Sequence, residues 1–274
     1  MTTAKLNDSG RTDMEVFLSI AVCLSLAMAG AWGLQRVTGL SGWIDTVWSL
    51  AVGSGGIAAV LVADGDFWRR MTVLALIGAW AARLACHIGA RTRSGQEDPR
   101  YARLIQEWGE TAAWRLFLFL QIQALAAFIL VLAVHMAATN GAPFARAVDV
   151  VAILIGIVAL VGEAIADRQL AQFRRTPAAK TETCEIGLWR YSRHPNYFFE
   201  WLFWCAWPLL SLSSSVSTFT SLLAPALMYW LLVHVSGIPP LEDHMLRSRG
   251  EKFRILQRRV NAFFPGPRRN GELP

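Results

Sequence analysis

Two arginines, a histidine, an asparagine and a glutamate are gathered in the segment Gly187–Glu200, reading Gly-Leu-Trp-Arg-Tyr-Ser-Arg-His-Pro-Asn-Tyr-Phe-Phe-Glu, at the mouth of an apolar run. Proline suits the first turn of a helix, where its missing N–H costs nothing. The unbonded amides of that turn, with Arg190, Arg193 and His194 just before it, make a ready anion site. Asn196 and Glu200 are four residues apart and share a face of the same helix. Other ionisable groups fall inside apolar runs, where charge is expensive and marks a pair, a pathway or a site. They are Asp45, Arg83 with His87 one turn on, and Glu163 with Asp167 and Arg174. Steps of four and eleven residues bring the last three to one face within about 40° and 20°. The adjacent carboxylates Glu163 and Asp167 repel in low dielectric and require a proton or a nearby cation.

The elements that position these groups are membrane helices. Apolar runs at Met14–Leu34, Trp43–Val62, Trp68–Ala90, Ala113–Met136, Ala147–Ala166, Tyr197–Ser213 and Val216–Val235 are each near the length that spans a bilayer, roughly 20 residues. So many long runs exclude a soluble globular protein. Taken alternately, one set of loops carries Arg36, Arg91, Arg93, Arg100, Arg103, Arg174, Arg190, Arg193 and the basic tail. The other set carries only Lys5, Arg11, Arg69, Arg70 and Arg146. The positive-inside rule then gives an all-α, seven-helix membrane protein with its N-terminus outside and its C-terminus in the cytoplasm. One membrane domain covers 1–274, with a tail at 1–13, a bundle at 14–235 and a cytoplasmic segment at 236–274. The net charge of +6 is local to the cytoplasmic face and suits anionic lipid or a polyphosphate; nothing in it suggests nucleic acid.

The cytoplasmic segments carry the remaining polar signals. Arg91–Tyr101 is a charged loop after the third run, and Gly237-Ile238-Pro239-Pro240-Leu241-Glu242 follows the seventh, whose helix the two prolines end. Beyond them, Leu241–Val260 reads as one charged amphipathic surface helix. The four cysteines form no C-x-x-C pair or His/Cys ligand spacing, so neither a disulfide frame nor a metal site is expected.

Asp45–Ser49, Arg83 with Arg91, Glu97–Tyr101, Glu163–Phe173, Gly187–Glu200 and Ser236–His244 together resemble the bacterial branch of the steroid 5α-reductase family, the domain of unknown function 1295 group. The resemblance spans nearly the whole chain. It implies a bundle that binds NADPH in a cavity open to the cytoplasm, in a bacterial inner membrane, and reduces the C=C bond of a conjugated enone in a lipophilic substrate. Matched residue to residue, Arg83, Asp167, Arg174, Asn196 and Glu200 fall where the family holds the cofactor, with the Arg-His-Pro loop by its phosphates. The candidate cofactor set is therefore Arg83, His87, Arg91, Arg93, Asp167, Arg174, Tyr191, Arg193, His194, Asn196, Tyr197, Glu200 and Glu242. Steroid reductases of the family use a Gln-Glu pair and a tyrosine on the substrate ketone. Here Asp45 and Trp80 stand in those regions, and they are the candidate catalytic residues. The competing expectation is an S-adenosylmethionine-dependent methyltransferase of the isoprenylcysteine carboxyl methyltransferase type, whose Arg-His-Pro-x-Tyr segment is similar.

Overall fold

The computed structural model describes residues 2–95, 97–213 and 217–269. It is helical throughout, with no strand among the described residues. The long helices are α1 (Thr2–Thr38), α2 (Gly42–Leu61), α3 (Phe67–Arg93), α5 (Ala112–Ala138) and α6 (Ala147–Arg174), with the short α4 (Pro99–Trp108) ahead of α5. Then come α7 (Pro195–Leu210), α8 (Ser217–Ser221), α9 (Leu223–Trp230), a π turn at Leu231–Val235, α10 (Ile238–Arg249) and α11 (Glu251–Arg259). The chain forms two compact units, Met1–Val150 with Trp207–Ala224, and Val151–Ala206 with Pro225–Pro274.

Among the described residues, six segments are long and apolar enough to cross a membrane: Met14–Thr38, Gly42–Leu61, Phe67–Arg93, Pro99–Ala138, Ala147–Arg174 and Thr218–Arg249. The chain is thus built as an integral membrane protein. Its outward residues agree: Leu18, Leu26, Ile122, Leu125, Leu154 and Val158 are exposed, as lipid-facing side chains should be. In the first unit α2 packs on α1, α3 and α5. Its small residues allow this, because a Cβ on Gly53 would overlap Ala81 and one on Gly56 would press on Ile77.

Several expectations are corrected. The run Tyr197–Ser213 forms α7, which starts two residues earlier, ends three earlier, and reaches about 24 Å in its 16 residues. The run Val216–Val235 is helical only in pieces, and its first residue lies outside those described, as do Gln96 and the serines at 214–215. The N-terminal tail is helical from Thr2. The amphipathic helix is two helices, α10 and α11, parted at Gly250, whose φ of +54° lies in the left-handed region that favours glycine. α6 runs two turns past the apolar stretch, so Glu163, Asp167 and Arg174 do share one continuous helix.

Arg69, placed by sequence in a weakly charged loop, is fully buried with Asp149. Its Nη1 donates to Asp149 Oδ1 at 3.0 Å and to the Leu210 carbonyl at 2.9 Å, and its Nη2 donates to Ala142 O at 3.2 Å. Asn140 Nδ2 donates to the same Leu210 oxygen at 2.8 Å, and Arg146 Nη1 to Leu212 O at 2.8 Å. These donors satisfy carbonyls that the end of α7 leaves without helical partners. Asp149→Ala should cost about 3–5 kcal/mol, because it strands a buried guanidinium. Glu107→Gln, at the exposed pair with Arg103, should cost under about 1 kcal/mol. Denaturant unfolding of the detergent-solubilised protein compares the two.

Candidate functional site

The candidate residues fall into two groups, one in each unit. In the first unit Asp45, in the first turn of α2, accepts the Tyr101 O–H at 2.7 Å and pairs with Arg100. Arg100 also binds Asp98 at 2.9 Å, and Asp98 binds Arg91 at 2.8 Å while capping α4 through the Arg100 amide. Burial pushes the Asp98 carboxyl up, but the Arg100 and Arg91 guanidiniums outweigh it and hold the group well below the usual carboxylate range. Glu97 Oε2 accepts the Ser41 amide at 3.0 Å. The charged segment after α3 is thus folded back on the start of α2, and Arg91 is committed to it.

Tyr101 is buried, and its phenol oxygen accepts a hydrogen bond from Gln123 Nε2 at 3.1 Å. Neither Tyr101 nor Gln123 stood among the sequence candidates. Tyr101 lay in plain view in Glu97–Tyr101, whereas Gln123, two residues after Gln121, is an uncharged residue of an apolar run and gave no charge signal. Trp48 Nε1 bonds the Gln123 carbonyl at 3.2 Å, and Trp80 packs edge-on against Trp48 with ring centroids 6.1 Å apart. Trp80 is wholly enclosed. Arg83 and His87 are half-buried one turn apart on α3, and Arg93 is exposed at its end.

In the second unit Glu163 and Asp167 are buried on α6, while Arg174 is exposed in its last turn. The Gly187–Arg190 turn is fastened to α6: Trp189 Nε1 donates to Ala166 O at 3.0 Å and the Leu188 amide to Gln169 Oε1 at 2.9 Å. Pro195 opens α7, as its sequence position predicts. Asn196 follows, with its buried Oδ1 lacking a hydrogen-bond partner. Glu200 is buried one turn on and accepts Trp204 Nε1 at 2.9 Å. The His194 ring stacks on Tyr197 at 5.7 Å, and Tyr191 is exposed.

Arg193 is positioned differently from a free anion ligand. Its Nε and Nη2 donate to the two Glu242 carboxylate oxygens at 2.7 and 3.1 Å, and its Nη1 to the carbonyls of Gln257 and Val260. His194 Nε2 faces the same carboxylate at 3.2 Å. The structure therefore brings Arg193, His194 and Glu242 together as a fastening for the C-terminal helices. Burial lowers the His194 imidazole below its ordinary range, against the upward pull of Glu242. Below pH ~6.5 the unfolded chain takes up this proton before the folded protein does. The contribution is therefore complete above that pH and is lost as pH falls through the lowered folded value. Thermal unfolding of wild type and His194→Gln between pH 7.5 and 5 should show a steeper fall with acid in wild type.

A family model described as "Protein of unknown function (DUF1295)" matches residues 31–260. An uncharacterized protein of Schizosaccharomyces pombe is 27% identical over 267 residues, which cover 85% of this chain and 75% of that protein. No solved structure matches. The motifs that hold Asp45, Arg91, Asp98, Arg193, His194 and Glu242 in place all lie within the matched residues, and the chain belongs to the DUF1295 family.

Proposed function

We propose that the chain is a membrane reductase that uses NADPH to saturate an activated, enone-type C=C bond in a lipophilic substrate, in keeping with its resemblance to the steroid 5α-reductases. The observation that carries this reading is the first turn of α7. A helix start suits an anion, and beside it the buried Asn196 Oδ1 lacks a donor, which a native structure supplies by water or ligand. A pyridine dinucleotide offers both a phosphate and N–H and O–H donors, so the residues present fit it. Asp167, Arg174, Asn196 and Glu200 would hold the cofactor, with Tyr191, His194 and Tyr197 completing the set; Arg193 and Glu242 fix the loop. When bound, NADPH supplies the hydride.

The chain's own part is the proton. Asp45 receives hydrogen bonds from two donors, and the transferable hydrogen of that group belongs to the Tyr101 hydroxyl. We assign Tyr101 as the proton source and Asp45, with Gln123, as the groups that orient it; enclosed Trp80 serves packing. The same reading makes α7 a seventh crossing, with the basic helix ends on the cytoplasmic side of a bacterial inner membrane and the N-terminus outside.

Equilibrium titration of the detergent-purified protein with NADPH, NADH and S-adenosylmethionine tests the cofactor. NADPH should bind, and Arg174→Ala should weaken it on the order of tenfold or more. Unchanged affinity in both Arg174→Ala and Glu200→Ala would refute the assignment, and binding of S-adenosylmethionine in its place would make the protein a methyltransferase. Tyr101→Phe should leave NADPH affinity intact and slow reduction of lipophilic enones by about 10²–10⁴-fold, whereas undiminished turnover places the donor elsewhere.

A further inference from the structure

The C-terminal helices hold together on their own. Phe253, Leu256 and Val260 form a small core with Met245 and Leu246, all from α10, α11 and the residue after them. This body joins α9 through the π turn Leu231–Val235 and Gly237, where the Ser236 and Gly237 amides both donate to the Leu231 carbonyl at 2.8 and 3.2 Å. π turns of this kind recur at functional sites. Gly237 is held so close to Leu232 O that a Cβ would overlap it, which fixes the joint in one place.

The far end of the body lies along the Arg-His-Pro loop. The Arg193 amide donates to Asn261 O at 2.9 Å, Ser192 Oγ to Phe263 O at 2.9 Å, and the Gly266 amide to Tyr191 O at 3.0 Å. Phe263 inserts between Trp201 and Tyr229, at 5.7 and 5.4 Å between ring centroids, while Phe264 beside it stays half exposed. One acidic side chain of the body meets two loop residues at once. Glu242 accepts from Arg193 twice, faces His194, and accepts from Gln257 Nε2 at 2.7 Å. A joint at one end, a private core, and a polar clasp at the other are the parts of a strap that opens as a unit.

We propose that residues 238–269 are such a strap, clasped by Glu242, and that its release opens the Gly187–Pro195 loop to its ligand; the ligand's identity as NADPH rests on the reading above. Limited proteolysis of the detergent-solubilised full chain reads the opening directly, since Arg247, Lys252, Arg254 and Arg258 offer exposed tryptic sites within the strap. Glu242→Gln should speed cleavage there on the order of tenfold or more, and Phe263→Ala should do the same by loosening the other anchor. NADPH should slow cleavage of wild type and leave the Glu242→Gln strap poorly protected. Cleavage unchanged in both variants overturns the strap, whatever the cofactor proves to be. Faster cleavage in the variants with no effect of bound NADPH overturns the gating and leaves a fastener. Failure of wild type to bind NADPH at all, with cleavage still governed by Glu242, removes the cofactor reading while supporting the clasp.

Discussion

A buried backbone carbonyl has to find its donor inside the protein, and at the end of α7 side chains supply it. The helix stops after 16 residues, and its final carbonyls point where no further turn supplies amides. The side chains of Arg69, Asn140 and Arg146 supply the donors instead, and Asp149 pairs with both guanidiniums. An arginine with no exposed surface is tolerable because both of its terminal nitrogens find acceptors. α3, the loop before α6 and the end of α7 are joined by the same few hydrogen bonds, so the first unit depends on them.

The charged helix ends follow a related rule. Each charged loop is closed onto a helix terminus by an acid that serves more than one donor: Asp45 and Asp98 in one unit, Glu242 in the other. Such multiply bonded carboxylates hold their partners in one arrangement, and they account for arginines that the charge pattern alone presents as free. Arg193 shows the consequence. In the sequence it is one more cation before a helix start; in the fold its donors are spent on Glu242 and two carbonyls.

The apolar runs were legible because a bilayer-spanning helix requires about 20 apolar residues whatever its neighbours are. Family membership was legible in the same way, from local motifs such as Arg-His-Pro and Gly-Ile-Pro-Pro-Leu-Glu. The start of α7 at Pro195 and the shared face of Glu163, Asp167 and Arg174 follow from proline chemistry and helical period, both local properties. Where the sequence reading missed, at the length of α7, the break at Gly250 and the helical start at Thr2, hydropathy was asked to locate helix ends that are decided by capping and backbone conformation.

What the sequence determined by itself is therefore the material of the protein: apolar helices of membrane length, their order, and which short segments carry ionisable groups. What only the tertiary structure decided is the pairing of those groups. That Arg69 meets Asp149 across 80 positions, that Asp45 meets Tyr101 across 56, and that Arg193 meets Glu242 across 49 has no trace in local periodicity. Periodicity reports which face of a helix a residue occupies, whereas its partner depends on which faces are packed together. At membrane depth the partner decides whether a charge is a fastener or a reactive group.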